Sequence, residues 1–134
     1  MIIGTGIDIL EVDRMARTLT RTPRFADSVF TEEETAYCEA AANVKIRAQR
    51  YAARFAAKEA FLKALGTGLA DGIHWQDITI TRTPQGRPGL QLIGEAQALS
   101  LQAGVTHMHL SLTHSREYAA AVVVLESSLD RGQP

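Results

Sequence analysis

Five short segments of the chain have the hydrophobic patterns of β-strands. Apolar and polar residues alternate along residues 2–12, 75–82 and 107–113, as they do in half-buried strands. Residues 90–93 are expected to pair back on residues 75–82, and residues 118–126 contain the apolar run Val-Val-Val-Leu, which is typical of a buried strand. Turn-forming residues at 85–89 and a tight His-Ser-Arg-Glu turn before residue 118 join neighbouring segments. We therefore expect hairpins in the second half of the chain.

Helical signals fill most of the remaining sequence. Thr31 and Glu34 form the capping-box pattern of a helix N-terminus, and Pro23 is expected to stop a helix or turn the chain. Helices are predicted over residues 14–22, 31–42, 45–65 and 94–103. Helices mixed with hairpins predict an α+β fold, a single domain with a mixed, largely antiparallel sheet packed against helices.

The helix over residues 45–65 has two chemically different sides. Glu59 and Lys63 lie about 40° apart around the helix axis, at about 100° per residue. The opposite side carries a narrow stripe of alanines, namely Ala53, Ala57, Ala60 and Ala64. Taken alone, Glu59 and Lys63 fit an ordinary surface ion pair, and Gly66 fits a helix C-cap.

Length and composition predict one soluble globular domain. The chain has 134 residues, of which 46% are hydrophobic and 22% charged, and its apolar runs are too short to cross a bilayer. We assign residues 1–126 to the domain and residues 127–134 to a polar tail with the composition of a frayed end. The N-terminus lacks the basic start of a signal peptide and is interrupted by Asp8, so we expect a cytoplasmic protein. Cys38 stands alone and cannot form an intramolecular disulfide or a structural zinc site.

The charge distribution is more informative than the net charge. A net charge of −1 argues against a nucleic-acid-binding protein. Arg14, Arg17 and Arg21 nevertheless fall within about 60° of one another on a helix and form a basic stripe. On charge alone, such a stripe is more often a solvated surface than a docking site.

Asp8 interrupts the inner face of the first predicted strand, where Gly4, Gly6 and Leu10 are its neighbours. An unpaired carboxylate is costly to bury, so Asp8 should have a fixed partner or hold a cation. Two carboxylates from different elements, with a lysine beside one of them, suit Mg²⁺-assisted chemistry on a phosphate ester.

The four histidines have different expected roles. His114 ends a predicted strand on its apolar side, next to the hydroxyl groups of Thr113 and Ser115, and we include it in the candidate site. We interpret the other three as ordinary core histidines. They are His74, His107 and His109.

Six short motifs together resemble holo-acyl-carrier-protein synthases, the short type of 4′-phosphopantetheinyl transferase. They are Gly-Ile-Asp-Ile at residues 6–9, Phe-Thr-Glu-Glu-Glu at 30–34, Arg-Phe-Ala-Ala-Lys-Glu-Ala at 54–60, Gly-Thr-Gly at 66–68, Gly-Arg-Pro at 86–88 and Ser-Leu-Thr-His-Ser at 111–115. Their order and spacing match over about residues 1–126, and the match is weakest over residues 37–50.

This resemblance implies an activity and an assembly. Enzymes of this type transfer 4′-phosphopantetheine from coenzyme A (CoA) to a serine of apo-acyl carrier protein and release adenosine 3′,5′-bisphosphate. They need Mg²⁺, and they are homotrimers that bind CoA between subunits. The attacking serine belongs to the carrier protein, so no nucleophile is expected in this chain.

The resemblance also assigns roles to individual residues. Asp8 and Glu59 are implied as the metal ligands, and Lys63 as the partner of the CoA pyrophosphate. Glu59 or a metal-bound water would accept the serine proton, and both alternatives stay open. The implied CoA contacts are Arg54, Lys63, Gly66, Thr67, Gly68, Pro88, Thr113 and His114.

An acidic carrier protein gives the basic stripe a role, because the first helix of the family meets the carrier. Docking on Arg14, Arg17 and Arg21 is therefore expected. Two other functions remain open: a non-catalytic CoA- or nucleotide-binding module, and a Mg²⁺-dependent phosphohydrolase that uses water as the acceptor. Loss of a carboxylate or of Lys63 would favour the former, and the sequence retains all three residues.

Overall fold

The computed structural model describes residues 1–128, where one strand is followed by four helices and then by two hairpins separated by a fifth helix. Its strands are β1 (Ile2–Glu11), β2 (Ile78–Arg82), β3 (Pro88–Leu92), β4 (His107–His114) and β5 (Tyr118–Glu126). Its α-helices are α1 (Val12–Arg21), α2 (Pro23–Val29), α3 (Glu32–Glu39), α4 (Val44–Leu65) and α5 (Gly94–Gln102). Short 3-10 turns at Leu69–Asp71 and Trp75–Asp77 connect α4 to β2.

The strands form two separate sheets, and every pairing among residues 1–128 is antiparallel. The larger sheet has the order β1-β5-β4, and β2 and β3 form a hairpin of their own. The α+β prediction is confirmed. The expectation of one mixed sheet is wrong, because the hairpin has no hydrogen-bonded ladder to the larger sheet.

Most predicted elements are present with small shifts at their ends. Sequence reasoning missed α2, whose signal was Pro23 itself, since proline is favoured at the first position of a helix. The segment predicted as a strand from Trp75 begins with a 3-10 turn and becomes β2 only at Ile78. Pro88, predicted to lie in the turn, is the first residue of β3.

Two residues of the predicted tail are held by hydrogen bonds. The N–H of Ser127 donates to the Met1 carbonyl at 2.8 Å, and the N–H of Ser128 donates to the Thr106 hydroxyl at 2.8 Å. The sheet pairing therefore continues slightly past β5. The rest of the predicted tail, residues 129–134, lies outside the described residues.

Helix α4 is the centre of the core, and it packs against the inner face of the β1-β5-β4 sheet. The four alanines of its predicted apolar stripe are 0–6% exposed. Burial extends well beyond that stripe, because α4 also contacts α1, α3 and β2. The side that carries Glu59 and Lys63 remains open to solvent.

Strand β1 lies directly on α4 because two of its inward-facing residues lack a side chain. A Cβ atom at Gly6 would overlap the carbonyl oxygen of Ala60, and one at Gly4 would overlap that of Ala64. The small Ala60 and Ala64 side chains allow the same close approach from the helix. Asp8 follows on the same inward face and so lies next to α4.

A buried ion pair fixes the other side of α4. Lys58 Nζ lies 2.7 Å from Glu34 Oε1, both side chains are fully buried, and the same ammonium group donates to the carbonyls of Val29 and Trp75. Burial lowers the pKa of Lys58, and Glu34 opposes this change. Glu34 also accepts the backbone N–H groups of Thr31 and Ile80, so the pair joins several elements to α4.

We predict that Gly6→Ala destabilises the fold, because the added methyl group forces β1 away from the α4 backbone. The expected loss in free energy of unfolding is about 1–3 kcal/mol, measured by urea denaturation. Gly68→Ala is the matched control, since a Cβ at Gly68 meets no atom of the described residues within 4 Å and its φ of −140° suits any residue. That variant should stay within about 0.5 kcal/mol of wild type. Equal urea midpoints for the two variants would contradict close packing at Gly6.

Candidate active site

Asp8, Glu59 and Lys63 come together where β1 crosses α4. Lys63 Nζ lies 3.0 Å from Asp8 Oδ1, and it also donates to the Ile7 carbonyl at 3.0 Å. The Asp8 side chain is 13% exposed and that of Lys63 is 56% exposed. The partner expected for Asp8 is therefore Lys63, whose ammonium group remains accessible from solvent.

A cavity of about 480 Å³ opens beside these carboxylates. Asp8, Glu59 and Arg14 supply its charged groups. The other lining residues are Ile9, Leu10, Met15, Thr18, Phe25 and Phe55. The site thus combines an acidic end with a mostly apolar wall formed by β1, α1, α2 and α4.

The two carboxylates affect each other electrostatically. Burial raises the pKa of Glu59, the Asp8 carboxylate raises it further, and Lys63 and Arg14 oppose the change. A bound cation would relieve both the burial cost and the repulsion. Mg²⁺ binds proteins through one or two carboxylates together with substrate phosphates, so Asp8 and Glu59 fit this ion. The described residues contain no group of three or more potential metal-binding side chains.

The loop after α4 contains three of the implied CoA contacts, residues 66–68, but uses most of its backbone amides within the chain. The N–H of Gly66 donates to the Leu62 and Lys63 carbonyls, and the N–H of Thr67 donates to the Leu62 carbonyl. Gly66 has a φ of 81°, as expected of a helix C-cap. Helix capping therefore uses two of the three loop amides, which leaves that of Gly68 as the candidate donor. The Thr67 hydroxyl is buried and has no hydrogen-bond partner in the described part of the chain.

Arg54 lies in a second cavity, of about 190 Å³, together with Pro88 and His114. On the α4 wheel Arg54 points to the flank opposite Glu59 and Lys63. The remaining lining residues are Tyr37, Arg50, Ala53, Arg82, Gly86 and Leu112. Three of the predicted CoA residues are thus brought together, but apart from the carboxylates.

Thr113 lies on the other face of the sheet from its neighbour His114, because adjacent residues of a strand point to opposite faces. The structure therefore does not bring Thr113 into the second cavity. The prediction of core histidines is wrong: His74 and His107 are exposed, and His109 lies on the surface with its Nε2 2.9 Å from Glu126 Oε1. Alternation placed the odd-numbered residues of β4 on the outer face of the sheet, and α4 covers only the inner face.

Sequence reasoning missed several residues of both cavities. The apolar wall of the first cavity, including Phe25 and Phe55, comes from four elements with no common motif. In the second cavity Arg50 had a detectable signal, since it precedes Arg54 by one helical turn. Arg82 and Tyr37 reach the cavity only through the packing of β2 and α3 against α4.

A family comparison accounts for this arrangement. The model of the 4′-phosphopantetheinyl transferase superfamily matches residues 4–123. The chain belongs to this superfamily. The matched segment of the transferase includes Asp8, Glu59, Lys63 and His114.

Individual members of the superfamily are similar over almost their whole length. Holo-[acyl-carrier-protein] synthase of Maridesulfovibrio salexigens is 50% identical over 127 residues, which cover 94% of this chain and 99% of that protein. The synthase of Koribacter versatilis is 45% identical over 127 residues, with the same coverage of both chains. A solved holo-(acyl-carrier-protein) synthase from Bacillus anthracis, in complex with CoA (3′,5′-ADP), is 37% identical with a TM-score of 0.79, and the match covers 96% of this chain and 99% of that one.

Proposed function

We propose that this chain transfers 4′-phosphopantetheine from CoA to a serine of apo-acyl carrier protein. The serine oxygen bonds to the phosphorus that carries pantetheine, the bond from that phosphorus to the bridging oxygen breaks, and adenosine 3′,5′-bisphosphate leaves. The serine proton would pass to a base, either the Glu59 carboxylate or a water molecule held at the two carboxylates. The observation that carries the proposal is the Asp8, Glu59 and Lys63 cluster, within a near-full-length match to holo-acyl-carrier-protein synthases.

Asp8 and Glu59 would hold Mg²⁺, which supplies polarisation of the pyrophosphate and charge neutralisation when bound. Lys63 would exchange its hydrogen bond to Asp8 for a pyrophosphate oxygen, because its side chain is largely exposed. An ammonium group there stabilises the negative charge that develops on the leaving bisphosphate.

Carrier docking is proposed at α1. Arg14, Arg17 and Arg21 are exposed, and Arg14 also lines the cavity that contains Asp8 and Glu59. An acidic protein bound along this stripe would bring its serine to the carboxylates. The apolar part of the same cavity, with Met15 and Phe25, offers a place for apolar groups of the carrier.

CoA would be shared between protomers of a homotrimer. Within one chain α4 separates the Asp8 and Glu59 flank from the cavity of Arg54 and His114. A donor that uses both flanks can do so if each flank belongs to a different subunit. Thr113 lies on the outer sheet face, and it would then contact CoA that is bound at the carboxylates of a neighbouring subunit.

The outer face of the β1-β5-β4 sheet supports such an assembly. Ile7 and Ile9 are 66% and 65% exposed, and Val122 pairs beside Ile7 on the same face at 38% exposure. Apolar side chains clustered on one exposed face mark an interaction surface. We propose this face as the contact between subunits and residues 1–126 as the transferase domain.

The proposed function includes a cytoplasmic location. None of the helices found in residues 1–128 is long and apolar enough to cross a membrane.

The function is tested by intact-mass analysis of an apo-acyl carrier protein incubated with CoA, Mg²⁺ and this enzyme. We expect the carrier serine to gain one phosphopantetheine, and EDTA to stop the reaction. Asp8→Asn and Glu59→Gln should each lower turnover by orders of magnitude without lowering the melting temperature, since each keeps the side-chain shape and removes a charge. Glu95→Gln, at an exposed carboxylate on α5, is the control and should transfer normally.

Two outcomes would reject the proposed activity. An unchanged mass across several candidate carriers would leave the chain as a binding module. Release of the bisphosphate without modification of the carrier would identify a phosphohydrolase.

We predict that Arg14→Glu and Arg21→Glu raise the KM for the carrier and leave the KM for CoA nearly unchanged. Charge reversal replaces attraction by repulsion, mostly during association. Wild-type carrier binding should weaken with salt, because the Debye length falls from about 8 Å at physiological salt to about 3 Å at 1 M, and the variants should be less salt-sensitive. If both variants keep the wild-type KM for the carrier at low salt, the carrier docks elsewhere on the protein.

We predict that Ile7→Asp and Val122→Asp dissociate the trimer and abolish transfer together, because each buries a charge in the proposed contact. Sedimentation equilibrium measures the assembly, and the mass assay measures transfer. Ile93→Asp is the control, since Ile93 is another exposed isoleucine, at 57%, but lies outside β1 and β5. A monomeric wild-type protein with full activity would reject the shared site.

A further inference from the structure

Three guanidinium groups surround the ring of a single tyrosine beside the second cavity. The guanidinium carbons of Arg54, Arg50 and Arg82 lie 4.1, 4.2 and 4.4 Å from the centroid of the Tyr37 ring. These distances are within the range of favourable cation–π contacts. The four residues come from three elements: Tyr37 from α3, Arg50 and Arg54 from α4, and Arg82 from the end of β2.

This cluster has no neutralising partner in residues 1–128. None of its three guanidinium groups lies within 4.0 Å of a carboxylate there. Two carboxylates, those of Glu33 and Glu34, line an adjoining cavity together with Tyr37, Arg54 and Arg82. Glu34 is already paired with Lys58, and Glu33 forms no ion pair within residues 1–128. Like charges held close together raise the free energy of the fold unless an anion joins them.

Arg54 gives an independent sign of a missing ligand. The residue is only 4% exposed, and its Nε–H has no hydrogen-bond partner among residues 1–128. Burial also lowers the pKa of Arg54, which reflects the cost of placing its charge away from water. Buried N–H donors normally have a hydrogen-bond acceptor, so we expect the acceptor of this group to come from a bound ligand.

The shape of the cavity limits the ligand. Its volume of about 190 Å³ is too small for a whole dinucleotide-sized molecule. Leu112 and Pro88 form apolar walls, and His114 adds a further hydrogen-bonding group. Three fixed cations suit a phosphate monoester, which carries a charge near −2, better than a diester with one charge.

We propose that Tyr37 is a positioning residue whose ring gathers Arg50, Arg54 and Arg82 into a subsite for the phosphate monoester of the donor. The inference rests on the proposed function, since CoA carries one monoester, the 3′-phosphate of its adenosine. The cluster thereby selects CoA over dephospho-CoA. Tyr37 acts through the arginines and does not contact the reacting atoms.

The ring is suited to this role because it attracts cations without neutralising them. Its face holds the guanidinium groups together against their mutual repulsion, and their full charge remains available to the phosphate. Arg50 is fixed further by its Nη1, which donates to the Tyr37 carbonyl at 2.7 Å. An aliphatic side chain at position 37 would fill similar space without attracting the cations.

The subsite is tested by calorimetry with adenosine 3′,5′-bisphosphate and adenosine 5′-monophosphate as probes. We expect Tyr37→Leu and Arg82→Gln to raise the Kd for the bisphosphate about tenfold, the scale of one lost charge-assisted contact, and to leave the Kd for the monophosphate unchanged. Tyr37→Phe keeps the ring and should retain wild-type affinity for both. Arg24→Gln, which removes an exposed positive charge on α2, is the charge-matched control.

Kinetics separate this role from a structural one. For Tyr37→Leu, the KM for CoA should rise about tenfold with little change in kcat, and kcat/KM for dephospho-CoA should match wild type. Equal losses with both donors, or no loss with either, would overturn the proposal. Because Arg82 is exposed at a strand end, Arg82→Gln keeps the test valid if Tyr37→Leu does not fold.

The same measurements distinguish this subsite from the proposed function. A wild-type protein that prefers the bisphosphate but modifies no carrier would retain the subsite and reject the transferase function. A protein that modifies the carrier but binds both nucleotides equally would retain the function and reject the subsite.

Discussion

The close approach of β1 to α4 controls the geometry of the candidate active site. Gly4 and Gly6 let the strand backbone touch the helix backbone at Ala60 and Ala64. Side chains at these positions would hold the two elements apart and would move Asp8 away from Glu59 and Lys63. Two glycines without functional side chains thus determine how close the Asp8 carboxylate lies to Glu59 and Lys63.

Helix α4 organises the rest of the molecule by presenting different chemistry on each side. One flank carries Glu59 and Lys63, and the opposite flank carries Arg54. The buried Lys58–Glu34 pair ties the helix to the α3 N-terminus and to β2. Removing one partner of such a pair leaves an uncompensated buried charge, so the helix cannot easily rotate or shift.

An isolated chain leaves two features unsatisfied, and both point to other molecules. The outer sheet face exposes Ile7 and Ile9, although isoleucine is among the residues most often buried. The arginine cluster around Tyr37 lacks a carboxylate within the described residues, and Arg54 keeps an unpaired buried donor. In the proposed assembly a second subunit would cover the sheet face, and in the proposed subsite a phosphate would neutralise the arginines.

The sequence by itself determined the α+β class, most elements, and the Asp8, Glu59 and Lys63 set, because periodicity, capping and motif spacing are local properties of a chain. It did not predict α2, although Pro23 was a signal for that helix, and it did not predict the separation into two sheets or the exposure of His74. Only the tertiary structure decided that His107 and His109 lie on the surface, since α4 covers one face of the larger sheet and leaves the other open. The grouping of Tyr37, Arg50 and Arg82 also depends on tertiary packing, because side chains from three elements meet only when those elements pack together.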